Sequence, residues 1–183
     1  MKTISLLFLA GLLLYRDLPA EPPTRQEQVL AKATDFFNTY ADRNDWDKFC
    51  SYYREDVVFD DIILQLHLDS LWQLKRFYNW NDAGNFTKLT PDQKHLSVET
   101  LVANDSVAVA RGRVNPFYYY DALIDNEWGM EFTFWIYFDE DLKIIKQVDW
   151  LEYDDYTLEN MIKRCRENGF EAIPEWLDLS KPE

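Results

Sequence analysis

Residues 138–154 read FDEDLKIIKQVDWLEYD, an acidic turn followed by a segment that alternates in the manner of a β-strand. DEDL predicts the turn, and residues 143–153 predict the strand. A strand turns alternate side chains to the same face. The residues predicted to face inward are Ile145, Gln147, Asp149 and Leu151. An inward Asp149 needs a partner, such as Arg113, or becomes a neutral acid; the alternative is that it points outward into solvent.

Helical patterns come before this strand. Apolar residues recur with helical spacing between Val29 and Ala41, which predicts a long amphipathic helix. Asn44 is suited to cap a second helix, and Asp69 to cap a third that carries Trp72. Residues 57–63 are β-branched and aromatic, which predicts a short strand between the second and third helices.

Strand patterns fill most of the remaining chain. Residues 96–103 and 107–114 flank the turn pair Asn104-Asp105, and residues 128–138 alternate again. Residues 79–94 have the composition of a loop. A last helix is predicted after residue 154, with a tail to residue 183. The order predicts an α+β domain, in which a strongly curved, mostly antiparallel sheet forms a cone wrapped by three N-terminal helices.

Two segments carry a resemblance to a known family: residues 36–61, FFNTYADRNDWDKFCSYYREDVVFDD, and residues 138–154. They resemble the nuclear transport factor 2-like superfamily, and within it the SnoaL-like group, over residues 26–154. The superfamily includes isomerases, cyclases, dehydratases, epoxide hydrolases and binding domains without catalysis, so the resemblance implies a fold before a reaction.

The resemblance implies roles for individual residues. Asp61 is similar in position to the proton-abstracting Asp of ketosteroid isomerases. Phe37 and Phe134 stand where those enzymes have the hydrogen-bond donors of the oxyanion hole, which argues against ketosteroid isomerisation. The acid/base Asp of SnoaL-like cyclases corresponds to Asp149. The arginine–carboxylate pattern of limonene epoxide hydrolases is not evident around Arg111 and Arg113.

The catalytic candidates are therefore Asp149, Asp61 and His67. Burial among aromatic rings would move the pKa of Asp149 towards neutrality, as a general acid or base requires. His67 could exchange protons with Asp61, or it could be an ordinary surface residue. Tyr118 or Tyr120 could orient a ligand oxygen. The predicted ligand pocket is lined by Phe37, Trp72, Tyr118, Phe132, Phe134 and Leu151.

The beginning of the chain predicts export. Residues 1–20 resemble a cleavable signal peptide, with one Lys, an apolar run and Ala20 at the expected cleavage site, and residues 21–25 form a short leader. The apolar run is too short to predict a membrane span. The protein is therefore expected to be secreted or periplasmic. The only cysteines, Cys50 and Cys165, could form a disulfide there or remain buried thiols.

The composition restricts the kinds of partner that the protein is expected to bind. A net charge of −14 without a basic cluster argues against nucleic acid. No grouping has metal-ligand spacing, and no cofactor is expected. The chain has 7 Trp, 11 Tyr and 12 Phe, which favours an aromatic cavity, an apolar interface or an aromatic core. Trp135 and Tyr137 are predicted to face outward, where a homodimer could bury them.

Two functions remain open from the sequence. The first is an exported domain that binds a small apolar ligand in a conical pocket, or serves as a dimer scaffold, without catalysis. The second is an acid/base enzyme of the cyclase, isomerase or dehydratase type, acting on an apolar cyclic carbonyl compound through Asp149.

Overall fold

A computed structural model describes residues 21–78, 86–119, 122–125, 130–155 and 158. The predicted signal peptide and nearly all of the predicted C-terminal helix and tail lie outside these residues, as do Tyr120 and Cys165. Within the described part, the helices are α1 Arg25–Asp42, α2 Trp46–Ser51 and α3 Leu71–Tyr78. None of them is both long and apolar enough to cross a membrane.

Nine strands form two sheets in the described residues. The strands are β1 Tyr53–Asp61, β2 Leu66–Leu68, β3 Phe86–Lys88, β4 Leu96–Ala103, β5 Val107–Val114, β6 Phe117–Tyr119, β7 Ala122–Ile124, β8 Met130–Phe138 and β9 Ile144–Leu151. The large sheet has the order β2-β1-β9-β8-β5-β4, and the small sheet the order β3-β6-β7. All pairings in the large sheet are antiparallel except that of β1 with β9. The predicted α+β class, with a mostly antiparallel sheet and N-terminal helices, is confirmed.

Helix α1 is fixed at its first turn. Thr24 and Glu27 form a capping box, which satisfies backbone N–H groups that the helix itself leaves unpaired. The guanidinium of Arg25 donates to the carbonyls of Asp105, Asp139 and Glu140, which belong to the β4–β5 and β8–β9 turns. The start of α1 is thereby tied to both hairpins, while its apolar side packs into the core.

The inner face of the large sheet is the apolar one. Cross-strand partners Ala110, Phe134 and Asp149 follow one another across β5, β8 and β9, and all three are buried. The next row on the opposite face, which includes Trp135, is more exposed. Because side chains alternate along each strand, this register puts Asp149 inside and Trp135 outside.

Gly112 allows β4 and β5 to approach closely on the inner face. A Cβ atom at this position would lie 2.0 Å from the carbonyl oxygen of Ser97, a contact that no side chain can make. The pairing of β4 with β5 shifts its register opposite this point, between Val98 and Thr100. Such irregularities bend a sheet.

The small sheet packs against α1 through His95. Its ring lies 4.8 Å from that of Phe86 and 5.4 Å from that of Phe117, between ring centroids. The Nδ1 atom of His95 is buried without a hydrogen-bond partner. Burial, with added repulsion from Arg43 and Lys88, holds the pKa of His95 well below its usual range. The neutral ring therefore acts as part of the aromatic core.

Several boundaries differ from the sequence predictions. Asp45, not Asn44, caps α2, because its carboxylate accepts from the backbone N–H of Lys48. The first strand begins at Tyr53, ahead of the predicted start at residue 57. The predicted loop of residues 79–94 contains β3, and β2, β6 and β7 were missed. Strands of three residues are too short for a periodic pattern to emerge.

Candidate functional site

Asp149 lies inside the protein with 2% of its surface exposed. Its Oδ1 accepts a hydrogen bond from the Gln147 amide nitrogen at 2.8 Å, and its Oδ2 accepts one from the Tyr78 hydroxyl at 3.2 Å. Gln147 also donates to the Tyr78 hydroxyl at 2.9 Å and accepts from the Tyr53 hydroxyl at 2.7 Å. The four side chains form one hydrogen-bonded group, which we call the Asp149 network.

Aromatic rings surround the Asp149 network. Phe134 is the cross-strand partner of Asp149, and its ring stacks on that of Phe132 with centroids 4.4 Å apart. The rings of Phe37 and Tyr40, from α1, lie parallel to Phe134 at 6.4 Å and 6.1 Å. Much of the volume beside the carboxyl is therefore filled by aromatic side chains.

Burial raises the pKa of Asp149 well above the ordinary value of an aspartic acid. The hydrogen bond from Gln147 opposes this shift, the nearby Asp61 carboxyl adds to it, and the bond from Tyr78 opposes it. No Lys or Arg is paired with Asp149 among the salt bridges of the described residues. Without a cation, a buried carboxyl is much cheaper to keep neutral than ionised.

Asp61 is also buried, but its surroundings are polar. Its Oδ1 accepts from the backbone N–H groups of Ile63 and Leu64 at 3.1 Å and 2.9 Å, and its Oδ2 accepts from the Tyr153 hydroxyl at 2.6 Å. The carboxyl thus closes the turn after β1, which Gln65 completes with a left-handed backbone (φ 56°). Burial raises the pKa of Asp61, and the three donors oppose the shift.

Asp61 and Asp149 are direct neighbours across the parallel pairing of β1 with β9. Side chains at matched positions of paired strands point to the same face, so both carboxyls lie on the inner face. The Asp61 carboxyl accepts three hydrogen bonds, two of them from backbone N–H groups. The Asp149 carboxyl accepts hydrogen bonds from side chains only. The two acids therefore have different environments, which is the condition under which one carboxyl can stay ionised while its neighbour stays protonated.

Comparison with known proteins identifies the architecture. No protein-family model matches the chain, and no curated protein matches its sequence. Solved structures do match: a candidate SnoaL-like polyketide cyclase from Shewanella putrefaciens CN-32 is 14% identical over 74% of this chain and 96% of its own, with a TM-score of 0.56.

The chain has the nuclear transport factor 2-like fold.

A candidate ketosteroid isomerase from Kribbella flavida DSM 17836 shares this nuclear transport factor 2-like architecture. It is 17% identical over 72% of this chain and 82% of its own, with a TM-score of 0.52. A nuclear transport factor 2-like protein from Anabaena variabilis ATCC 29413 is 14% identical over 71% of this chain and 91% of its own, with a TM-score of 0.52. At these identities the likeness concerns the fold alone, as the sequence resemblance implied.

His67 lies outside the site. It is the cross-strand partner of Asp60, not of Asp61, and its Nδ1 lies 2.6 Å from the Asp60 carboxylate on the outer face. Lys146 binds the same carboxylate at 3.0 Å. The hypothesis that His67 exchanges protons with Asp61 is wrong, because Asp60 and Asp61 point to opposite faces of β1.

The predicted pocket residues separate into two groups. Phe37, Phe132 and Phe134 come together beside Asp149, and Leu151 follows as the cross-strand partner of Phe132. Trp72 is half-buried on α3. Tyr118 belongs to the small sheet and is 40% exposed, so it does not lie with the buried phenylalanines. Tyr120 lies outside the described residues.

Arg113 is not the partner of Asp149. Its guanidinium lies on the outer face, 3.4 Å from Glu99 and 3.7 Å from Glu131. The outward alternative for Asp149 is excluded as well, since its carboxyl is buried. The described residues contain no group of three His, Cys, Asp or Glu side chains that could hold a metal ion.

Three tyrosines of the site were missed from the sequence: Tyr53, Tyr78 and Tyr153. Tyr53 begins β1 and Tyr78 ends α3. A buried tyrosine needs a partner for its hydroxyl, so tyrosines on an apolar helix face indicate that an acceptor lies inside. That rule points to a buried polar group, but it does not say which strand supplies it.

We predict that Asp149→Asn reduces the loss of stability at rising pH. Between the ordinary pKa of 3.8 and the raised pKa of the folded state, the folded protein keeps a proton that the unfolded chain releases. The free energy of unfolding of the wild type therefore falls as pH rises through this window. An amide does not titrate, so the free energy of unfolding of the variant falls less over the same pH range. Urea unfolding from about pH 4 to about pH 9 measures the slope.

Asp60→Asn is the matched control. Burial opposes ionisation of Asp60, but hydrogen bonds from His67 and Lys146 outweigh it and lower its pKa. Its removal therefore leaves the downward slope in place. Equal slopes for Asp149→Asn and the wild type would show that Asp149 is ionised in the folded protein.

Proposed function

We propose that the protein is an exported domain that binds a small apolar ligand on the inner face of its sheet, beside Asp149. The observation that carries this proposal is the buried carboxyl itself. A carboxyl group enclosed by phenylalanine rings, with no cation paired to it within the described part of the chain, lowers the stability of the fold. Such a cost is typical of a functional position, and an apolar ligand with one polar atom fits these surroundings.

The chemistry of the inner face restricts the ligand. Phe132, Phe134 and Leu151 offer apolar contact on β8 and β9, and the Asp149 network offers the polar contact. No cation is paired with that network in the described residues, so an anionic ligand would be desolvated without compensation. The ligand class is therefore neutral and largely apolar. Export is supported by the pattern of residues 1–20.

We predict saturable binding of acetylnaphthalene, a neutral ketone, by the purified protein. The charged analogue naphthoate should bind at least about a hundredfold more weakly, because burial of an unpaired charge costs several kcal/mol. Asp149→Leu should weaken ketone binding about tenfold through loss of one hydrogen bond. Fluorescence titration measures the affinities.

Trp135→Ala, on the outer face, is the control and should leave this affinity unchanged. Equal affinity for the ketone and the carboxylate, or a loss on Trp135→Ala alone, would place the binding surface elsewhere.

We also propose a homodimer through the outer face of the large sheet. Val102, Val109, Trp135 and Val148 form one row across β4, β5, β8 and β9. Val102 is 56% exposed, Trp135 is 40% exposed and Trp150, two residues beyond Val148, is 47% exposed. We call these five residues the outer patch. Exposed apolar side chains in a contiguous group are typical of an interface.

Charges beside the outer patch suit a symmetric pairing. Arg111 and Arg113 lie on the same face and form salt bridges with Glu99 and Glu131. A patch with both signs at its edge can meet a second copy of itself without a net repulsion.

We predict that Trp135→Glu makes the protein monomeric. A carboxylate in the middle of an apolar interface would be buried without a partner, which costs several kcal/mol. Size-exclusion chromatography with light scattering measures the mass. Leu30→Glu, an equally exposed position on α1, is the control and should leave a dimer intact. A monomeric wild type at high concentration would contradict the dimer.

A second function, acid/base catalysis on an apolar cyclic carbonyl compound, is favoured by the pairing of Asp61 with Asp149. Two neighbouring carboxyls with different environments can divide the roles of base and acid. Enolisation of a ketone is the simplest reaction of this class: a base removes a proton from the carbon next to the carbonyl, while an acid protonates the oxygen.

We predict for this second function that the wild type accelerates exchange of the acetyl hydrogens of acetylnaphthalene for deuterium in heavy water. Asp149→Asn should abolish the acceleration, because an amide donates a hydrogen bond but does not transfer a proton at neutral pH. Mass spectrometry measures the exchange. Ketone binding that persists in this variant, with no exchange in either protein, would leave the binding function and remove the catalytic one.

A further inference from the structure

His95 joins the small sheet to the end of α1. Its ring contacts Phe86 of β3 and Phe117 of β6, whose own rings lie 5.0 Å apart between centroids. The ring of Tyr40, from α1, lies 5.9 Å from the same imidazole. We call these four side chains the His95 cluster. Because the cluster takes rings from both α1 and the small sheet, a change in His95 acts on the contact between them.

Two cations support the same contact. The guanidinium of Arg43 lies over the ring of Phe86, 3.8 Å from its centroid, and the Lys88 amine donates to the carbonyl of Asp42 at 2.7 Å. Within the described residues, β3, β6 and β7 pair with one another and not with the large sheet. The small sheet therefore depends on side-chain contacts of this kind for its attachment.

The backbone of His95 is fixed on both sides. Its N–H donates to the carbonyl of Ala41 at 2.7 Å, and its carbonyl accepts from the N–H of Asn115 at 2.8 Å. The ring is buried, and its Nδ1 has no hydrogen-bond partner in the described part of the chain. A protonated imidazole carries a hydrogen on both nitrogens, so Nδ1 would become a buried donor without an acceptor. Such a donor costs stability, and the fixed backbone limits the movement that could satisfy it.

The charges around the ring also disfavour protonation. The titratable and charged side chains around the cluster are Tyr40, Asp42, Arg43, Lys88 and Lys94. Tyr40 stays neutral, because burial raises the pKa of its hydroxyl above the ordinary value. The Asp42 carboxylate is bound by Lys94. Burial lowers the pKa of His95, and Arg43 and Lys88 lower it further. A protonated His95 would thus add one more positive charge beside two others.

We propose that His95 is a pH sensor: in mild acid it takes up a proton, and the small sheet then separates from the end of α1. A histidine in an aromatic contact suits this role, since its neutral ring packs as an apolar group and an exposed ring changes charge at about pH 6.5. Separation uncovers Tyr40, whose ring stacks on Phe134 with centroids 6.1 Å apart. Acid therefore opens the fold beside the inner face of the large sheet. The inference does not depend on any ligand of that face.

The sign of the effect follows from the pKa of the ring in the two forms. The attached ring has a pKa well below 6.5, whereas the exposed ring of the separated form has about the ordinary value. The stability of the attached form is therefore complete above about pH 6.5 and falls as pH drops below it. The equilibrium constant for separation should rise at least about tenfold between about pH 7 and about pH 5.

Hydrogen–deuterium exchange measures this separation directly. Each amide rate is compared with that of an unstructured peptide at the same pH, because the chemical step of exchange itself depends on pH. Protection of the amides of β3 and β6 should fall at least about tenfold between about pH 7 and about pH 5, whereas protection in β5 and β8 should change less than about twofold. An equal loss in all four strands would show that acid loosens the whole fold, and would overturn a separation of the small sheet.

The chain has 2 His residues, which offer a matched pair of variants. His95→Gln does not titrate, so protection of β3 and β6 should change less than about twofold over the same pH range. His95→Phe, which keeps an aromatic ring, gives the same test if His95→Gln does not fold. His67→Gln, on the outer face, should keep the wild-type response. A response that persists in the His95 variants, or that disappears in His67→Gln, overturns the assignment to His95.

Nuclear magnetic resonance of the imidazole protons supplies a second readout. The variant His67→Gln leaves His95 as the single histidine of the chain, so its titration can be followed without ambiguity. The His95 ring should remain neutral at about pH 6, where an exposed histidine is mostly protonated. A ring that titrates at the ordinary pKa while the small sheet stays attached would remove the role of pH sensor.

Discussion

The parallel pairing of β1 with β9 is the constraint on which the interior depends. It joins the strand that follows the first two helices to the last strand of the sheet, and it sets Asp61 beside Asp149 on the inner face. A shift of β1 by one residue would turn Asp61 to the outer face and bring Asp60 inside, beside Asp149, in its place. The hydrophobic pattern prevents this shift, because the buried side chain of Phe59 would be exposed by the same movement.

The two faces of β1 show how surroundings decide the chemistry of a carboxyl group. Asp60 and Asp61 are adjacent in sequence, yet the pKa of the first is lowered and that of the second is raised. On the outer face, His67 and Lys146 stabilise the anion. Among the residues that the structure describes, no cation is paired with Asp61 or Asp149 on the inner face, so hydroxyl, amide and backbone donors must satisfy their oxygens. Neutral donors satisfy a carboxyl without cancelling the effect of burial.

Those features of the site that follow from local periodicity could be predicted from the sequence. Alternation along β9 gave the inward direction of Asp149, and alternation along β8 gave Phe132 and Phe134 as its neighbours. The hydroxyl partners could not be predicted, because Tyr78 is 71 residues from Asp149 and Tyr53 is 94 residues from Gln147. Contacts at this separation depend on the strand order, which no local pattern contains.

Wrong assignments had the same origin. His67 and Asp61 are close in sequence, and only the β1–β2 register shows that they lie on opposite faces. Tyr118 belongs to a run of aromatic residues. A strand of three residues is too short for its alternation to show which of these side chains are buried and which are exposed. The fold, in contrast, was predictable, because long helical and strand periods and the turns at Asn104 and Asp139 specify the order of the main elements.

The attachment of Arg25 to both hairpin turns has a consequence for the order of events during synthesis. The carbonyls that receive its guanidinium belong to residues 105, 139 and 140, so they have not been made when the first helix leaves the ribosome. Helix α1 is translated before the sheet, but it can form these hydrogen bonds only after most of the sheet has been translated. A nascent chain of this design therefore stays incompletely folded for most of its synthesis.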